Sequence, residues 1–251
     1  MNPLCVNVRN LGVLAIMVAV LAFTFFSGGY AALHPVIFPA GLCIAIIIAS
    51  YTVLTMETPS LVVFLLISTL VAAIDEYAHT AAGTLVYVDH GVPSLLTVAG
   101  WGIFMLVMLA AARLVLKIPV FAAIENHSGE QKTIRVVPVL VLIILIVLSV
   151  ALLNYGTLLT PLLLLVYLLL AAFSLYYAGR LTVRRNVAVL IAGLLTGFLM
   201  EYLGALEGIW TFHYNEPVSL FILFSWPLRF LTVLCLCHLA GYDICGQSAG
   251  M

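Results

Sequence analysis

The chain contains eight runs of apolar residues, each close to the twenty residues that an α-helix needs to cross the hydrocarbon core of a bilayer. The runs cover residues 11–26, 36–55, 60–80, 94–116, 136–153, 161–181, 186–206 and 218–241. Because lipid offers no hydrogen bonds to the backbone, such runs predict helices. The fold class that follows is all-α: a polytopic membrane helix bundle with eight transmembrane helices.

Composition excludes the soluble classes of protein. The 251 residues include only nine Lys and Arg and ten Asp and Glu, and 65% of the residues are apolar. So few charges cannot cover the surface of a water-soluble domain of this size. The formal net charge of -1 argues against nucleic acid as a partner, because phosphate neutralisation needs clustered cations. The five cysteines, an odd number, give no disulfide framework.

The second half of the chain repeats the first at a shift of 125 residues, which superimposes the eight runs in order. Identical residues include Glu76-Tyr77 with Glu201-Tyr202, Gly83 with Gly208, Ser94-Leu95 with Ser219-Leu220, and Trp101 with Trp226. We therefore predict a four-helix repeat over residues 1–120, a cytoplasmic linker over 121–134 and a second four-helix repeat over 135–251. Four spans is an even number, so the two repeats are expected to be parallel.

Basic residues predict the orientation. Eight of the nine Lys and Arg fall on the face that would carry both termini, and none falls on the opposite face. By the positive-inside rule the first face is cytoplasmic. The predicted localisation is the cell (inner) membrane, multi-pass, with the N-terminus and the C-terminus cytoplasmic. The ninth basic residue, Arg229, lies inside the last run.

Ionisable side chains within the runs gather in the outer half of the predicted bundle. Asp75, Glu76 and His79 fall in the third run, Glu201 at the equivalent depth of the seventh, and Arg229 in the eighth. Such residues are costly in hydrocarbon and are usually functional. A repeat axis through the bundle centre would place Glu76 opposite Glu201 across a shared pocket. These five are the candidate catalytic residues, and Arg229 is expected to neutralise Glu201.

Aromatic and polar residues near the same region are candidates for substrate binding. They are Tyr87, Trp101, Trp210, His213, Tyr214 and Trp226. An interfacial aromatic belt is the alternative explanation of the aromatic ones. The spacings Gly193-x-x-x-Gly197 and Gly204-x-x-x-Gly208 are more typical of close helix contacts than of ligand loops.

Three interpretations of the ionisable group stay open. Glu201 acts as general acid, with Glu76 as second carboxylate and His79 relaying protons, a chemistry that needs no cofactor. Alternatively, Glu76, His79 and Glu201 bind a metal, although Gly204 stands where a second Glu-x-x-His motif would need its histidine. In the third interpretation Arg229 pairs with a carboxylate only to hold the helices together.

Residues 201–214 read Glu-Tyr-Leu-Gly-Ala-Leu-Glu-Gly-Ile-Trp-Thr-Phe-His-Tyr and precede Pro217 and an apolar run. This succession, with a fainter copy in residues 76–101, resembles integral-membrane carotenoid-biosynthesis enzymes: the heterodimeric-type lycopene cyclases and the related carotenoid hydratases. The cyclases carry Pro-(Leu/Ile)-Glu-Glu in the following span, where residues 226–229 here read Trp-Pro-Leu-Arg. The resemblance is therefore closer to the hydratases.

The resemblance implies a membrane-embedded enzyme that hydrates or cyclises a C=C bond of a lipophilic isoprenoid or carotenoid-like substrate by acid catalysis. Aromatic faces would stabilise the carbocation, and the bilayer would deliver the substrate. A proton-coupled small-molecule transporter and a non-catalytic membrane subunit of a larger complex are the alternatives. The almost wholly apolar residues 60–73 and 187–199 offer a polar solute no inner path. An oligomer is compatible with all three.

Overall fold

The structure, a computed structural model, describes residues 7–27, 37–87, 95–121, 132–152, 159–212 and 218–244. These residues form eight long helices and two short strands. The elements are α1 (Asn10–Ser27), α2 (Ile37–Thr55), α3 (Thr58–Ala82), β1 (Leu85–Tyr87), α4 (Leu95–Leu116), α5 (Lys132–Leu152), α6 (Pro161–Ala178), α7 (Val183–Leu206), β2 (Trp210–Phe212) and α8 (Leu220–Leu239). Every helix begins and ends within four residues of a predicted apolar run.

Five of the helices, α3, α5, α6, α7 and α8, are long and apolar enough to cross a membrane. In α1, α2 and α4 the described apolar stretches are shorter: Asn10–Ala19, Cys43–Thr55 and Gly100–Leu116. The chain is therefore an all-α bundle of the membrane type, as predicted, with a two-stranded ribbon that the sequence analysis missed. The count of eight spans stays a prediction, and the predicted linker lies mostly outside the described residues.

Local sequence sets the helix ends. Thr160 before α6 and Thr182 before α7 each accept a backbone hydrogen bond from the first turn of the helix through the side chain. The ends of α3 and α7 run into Gly83 and Gly208, whose φ angles are 71° and 67°. Only glycine adopts this left-handed backbone without strain. Both turns lead the chain directly into a strand.

The strands β1 and β2 pair antiparallel and join the two halves of the chain. Val86 lies opposite Thr211, with Leu85 opposite Phe212 and Tyr87 opposite Trp210. Val86 and Thr211 are also equivalent at the 125-residue shift, so the pairing is symmetric about them. Their neighbours in each strand are buried, whereas Val86 and Thr211 are exposed. The ribbon therefore turns Tyr87 and Trp210 inward.

The helices α4 and α8 occupy the centre of the bundle. Residues 101–110 of α4 are all buried, and α8 is the most buried of the five spanning helices. The close approach of α8 to α7 depends on two glycines. A Cβ atom at Gly193 would lie 2.8 Å from Cα of Pro227, and one at Gly197 would lie 2.6 Å from the Trp226 ring. The predicted role of Gly193 and Gly197 in helix contact is thus confirmed.

Candidate functional site

Arg229 on α8 reaches across to α3 and forms an ion pair with Asp75. Its Nη2 atom lies 2.8 Å from Oδ2 of Asp75, and both side chains are about 2% exposed. The predicted pairing of Arg229 with Glu201 is wrong. The Trp226 indole lies one turn before Arg229 and contacts both Arg229 and Glu201. The guanidinium group of Arg229 lies 4.4 Å above the centre of the ring, and the indole N–H donates a hydrogen bond to Glu201. The guanidinium therefore extends to α3 instead.

His79 connects this ion pair to α6. Its Nε2 atom lies 3.2 Å from Nη2 of Arg229 and 3.1 Å from the Tyr167 hydroxyl, and its Nδ1 atom lies 2.7 Å from Oγ1 of Thr84. Arginine only donates, so Nε2 accepts and the ring proton lies on Nδ1. The Thr84 hydroxyl donates onward to the backbone oxygen of His79. His79 is therefore neutral, and its 3.9 Å approach to Asp75 is not an ion pair.

Tyr167, Thr84 and Phe221 complete this part of the site, and the sequence analysis did not select them. The Tyr167 ring stacks on Phe221 with 4.6 Å between centroids, and both rings lie 5.7 Å from the His79 imidazole. The sequence does contain a feature that could have pointed to Tyr167, because its hydroxyl is the one polar side-chain group within the leucine-rich residues 161–170. None distinguished Phe221 from the other phenylalanines.

Glu76 bonds to Tyr87 of the ribbon and not to Arg229. The Tyr87 hydroxyl donates to Oε2 of Glu76 over 2.6 Å, and both side chains are buried. Burial and the adjacent Glu76 carboxylate raise the pKa of Tyr87 well above its ordinary value, so the hydroxyl keeps its proton. The Oε2 atom of Glu76 is thus the acceptor in a short hydrogen bond.

Glu201 on α7 is held through one oxygen only. Nε1 of Trp226 donates to Oε1 over 2.8 Å. The other oxygen, Oε2, is buried and forms no hydrogen bond with the residues that the structure describes. The Trp210 indole N–H likewise forms no well-aligned hydrogen bond with them, although it lies near enough to the Glu201 carboxyl group to interact with it. Glu201 therefore has one oxygen available for a further contact.

Three tryptophans form a continuous aromatic cluster between Glu76 and Glu201. The Trp101 ring lies 4.6 Å from Trp226 and 5.8 Å from Trp210, and Tyr87 meets Trp210 at 6.0 Å. Phe104 packs against Trp101 and Trp226 at 5.7 and 5.6 Å. The predicted substrate-binding residues Tyr87, Trp101, Trp210 and Trp226 thus lie together. His213 and Tyr214 lie outside the described residues.

Gly204 makes room for Trp210 in this cluster, because a Cβ atom there would overlap the indole ring. At the 125-residue shift, His79 is equivalent to Gly204 and Leu85 to Trp210. The first half of the chain therefore has the His79 imidazole at the position where the second half has Gly204 packed against the Trp210 ring. Because of this difference, the two halves contribute different side chains to the site.

The residues of the metal interpretation are each engaged separately. Glu76 accepts from Tyr87, Glu201 accepts from Trp226, and both ring nitrogens of His79 have partners. Within the described ranges no group of three His, Cys, Asp or Glu side chains converges as metal ligands. Nε2 of His79 also faces the Arg229 guanidinium, whose charge opposes a bound cation.

The site therefore has two parts. Asp75, Arg229 and His79 form a charge-paired part that joins α3 to α8 and, through the Tyr167 hydroxyl, to α6. The aromatic part carries two carboxyl groups, Glu76 and Glu201, within apolar rings. The second part can offer a proton to an apolar molecule and stabilise positive charge on it.

Comparisons of the chain with protein-family models, curated proteins and solved structures find no match. The resemblance to membrane carotenoid-biosynthesis enzymes therefore rests on the residue pattern of 201–217 and its fainter first-half copy alone.

Proposed function

We propose that the protein is a membrane-embedded enzyme in which Glu201 protonates a C=C bond of a lipophilic isoprenoid or carotenoid-like substrate, leading to hydration or cyclisation. One observation carries this proposal. Oε2 of Glu201 has no hydrogen-bond partner among the described residues, yet the carboxyl group adjoins a cluster of three tryptophans. A proton donor beside aromatic faces is what protonation of an alkene requires.

The chemistry balances without a redox step. The π electrons of the double bond take the proton from Oε2 to form a C–H bond, and the neighbouring carbon becomes a carbocation. In hydration, water adds to the cation and a proton returns to the carboxylate. In cyclisation, a second double bond supplies the electron pair, and an adjacent C–H bond loses the returning proton. Both routes regenerate the acid.

Glu201 is better placed than Glu76 to give a proton to a substrate. The Glu76 carboxyl group is already bound by Tyr87, which donates a 2.6 Å hydrogen bond to its Oε2 atom. Glu201 accepts a single indole hydrogen bond, and the nearby Arg229 charge is matched by Asp75. A buried charge without a counter-ion is costly. Glu201 therefore keeps its proton between turnovers.

We further infer that the site lies in the outer half of an eight-span bundle of two parallel four-helix repeats, with both termini cytoplasmic in the inner membrane. The order of three helices, a strand and a helix occurs twice at a shift of 125 residues, and the strand pairing is symmetric. Positive-φ glycines recur at the same shift. The basic residues fall on one face, which supports the orientation.

The test is conversion of an acyclic polyene carotenoid by the purified protein in lipid vesicles, followed by absorbance and mass spectrometry. Hydration adds the mass of one water, and cyclisation keeps the mass but shifts the spectrum. Glu201→Gln keeps the side-chain shape without the acid, so turnover should fall by about 100-fold or more. The matched control is Glu57→Gln, at the opposite end of α3 from Glu76. Wild-type turnover in Glu201→Gln would contradict the proposal.

A further inference from the structure

A groove of about 580 Å³ opens at the end of the bundle opposite to the aromatic cluster. It lies between the C-terminal parts of α2 and α4 and the first turn of α7. Four of its lining residues are basic: Arg113, Lys117, Arg184 and Arg185. None of the described residues that line it is acidic. The groove concentrates nearly half of the nine basic residues of the chain.

The positions of these cations raise the positive potential in the groove. Arg184 and Arg185 lie in the first turn of α7, where the helix dipole is already positive. Arg184 donates to the backbone oxygen of Leu116, and Arg113 donates to Oγ1 of Thr55. These bonds hold both guanidinium groups in place. This positive potential attracts an anion to the groove.

The rest of the groove is apolar and open to the surroundings of the bundle. Ile47 and Leu114 are 70% and 60% exposed, and Tyr51 is also exposed. Ile47 and Tyr51 lie four residues apart on α2, so the apolar wall runs for about 6 Å along the helix axis. This length suits the first part of a hydrocarbon chain that lies beside α2.

The positions equivalent to these four at the 125-residue shift form no such basic cluster. At the 125-residue shift, Arg113 corresponds to His238, Lys117 to Tyr242, Arg184 to Pro59 and Arg185 to Ser60. The four cations, two from each half of the chain, thus have no Lys or Arg at their equivalent positions. The basic groove is therefore not a consequence of the helix scaffold.

We propose that this groove binds the phosphate head of an anionic membrane lipid, with one acyl chain along Ile47, Tyr51 and Leu114. Basic pockets between membrane helices recognise anionic headgroups in this way. The groove supplies both parts of the recognition: guanidinium and ammonium donors for phosphate oxygens, and an apolar wall for the chain. The site is distinct from the aromatic cluster and does not depend on its chemistry.

The test measures lipids retained by the purified full chain in mixed micelles of phosphatidylglycerol and phosphatidylcholine, by native mass spectrometry. Both lipids carry a phosphate diester, but only phosphatidylglycerol has a net negative charge. The double change Lys117→Gln with Arg185→Gln removes two cations and leaves the bonds of Arg113 to Thr55 and of Arg184 to Leu116 in place. Arg180→Gln is the matched control, because Arg180 lies at the same end of the bundle outside the groove.

We expect the wild type and Arg180→Gln to retain phosphatidylglycerol over phosphatidylcholine, and the double change to reduce this preference about tenfold. Melting temperature should stay unchanged, which separates loss of the site from loss of the fold. Equal retention of the two lipids by the wild type would overturn the proposal, as would the same loss in Arg180→Gln. Displacement of the lipid by inorganic phosphate alone would overturn the lipid assignment, because the apolar wall would then contribute nothing.

Discussion

At the scale of residues, the site is asymmetric although the strand pairing beside it is symmetric about Val86 and Thr211. Asp75 and Arg229 form a buried ion pair between α3 and α8. At the 125-residue shift the same positions hold Met200 and Phe104. The charged pair in the site therefore corresponds to two apolar residues at the equivalent positions. The two halves thus contribute different functional groups.

The ion pair predicts an ordering of stabilities. Arg229→Met leaves the Asp75 carboxylate buried without its partner, and breaking a buried pair in this way costs about 3–5 kcal/mol. Arg229→Met with Asp75→Asn removes both charges and should be more stable than the single change. The measurement is thermal unfolding in detergent.

The control for this ordering is Arg229→Met with Glu201→Gln. Because Glu201 is bonded to Trp226 and not to Arg229, this second change should recover nothing. A recovery with Glu201→Gln but not with Asp75→Asn would show that Arg229 pairs with Glu201.

At the scale of elements, the turn from α7 into β2 sets the shape of the aromatic cluster. The Trp210 ring packs directly against the backbone of Gly204. In the first half, His79 is equivalent to Gly204 and Leu85 is equivalent to Trp210. The glycine is required for packing and not for a positive φ angle, which occurs four residues later at Gly208.

Gly204→Ala should therefore destabilise the protein by about 1–3 kcal/mol, the usual cost of overpacking a buried site. Trp210→Leu introduces the residue of the first half and makes room for the new methyl group. The double change should recover stability relative to Gly204→Ala, as measured by melting. Should Gly204→Ala melt like the wild type, Trp210 does not lie over Gly204.

The ribbon gives a second prediction at this scale. Val86 and Thr211 are direct partners in the strand pair and both are exposed. Opposite residues in an antiparallel pair are close enough for a disulfide. Val86→Cys with Thr211→Cys should cross-link under mild oxidation, as seen by mass spectrometry of the linked peptides. The single change Val86→Cys is the control, and its cross-linking to a native cysteine to the same extent would contradict the pairing.

At the scale of the whole molecule, the sequence predicted the helices well because membrane-length apolar runs are long signals. The bounds of α2, α4 and α6 illustrate this, since each shares at least one end residue with its run. The proximity of Asp75, His79 and Arg229 was also predicted from the sequence, because ionisable side chains within apolar runs are costly to bury and usually pair with one another.

The pairings within the site did not follow from the sequence. Arg229 could reach α3 or α7 from α8, and the choice of Asp75 on α3 depends on how the three helices pack. The ribbon has three residues in each strand, too few for a period-two pattern to stand out. Tyr167 and Phe221 belong to the site through tertiary contacts with His79 that no local pattern encodes.

The central claim, that Glu201 gives its proton to a carbon of the substrate, is tested most directly by turnover in D₂O. Glu201 exchanges its proton with solvent between turnovers, so each product molecule should carry one carbon-bound deuterium for each double bond protonated. Mass spectrometry after back-exchange in H₂O counts it, because C–D bonds do not exchange. Glu201→Gln should form labelled product at about one hundredth of the wild-type rate or less, and Glu57→Gln should match the wild type. Product without carbon-bound deuterium, or labelled product from Glu201→Gln at the wild-type rate, would contradict the account.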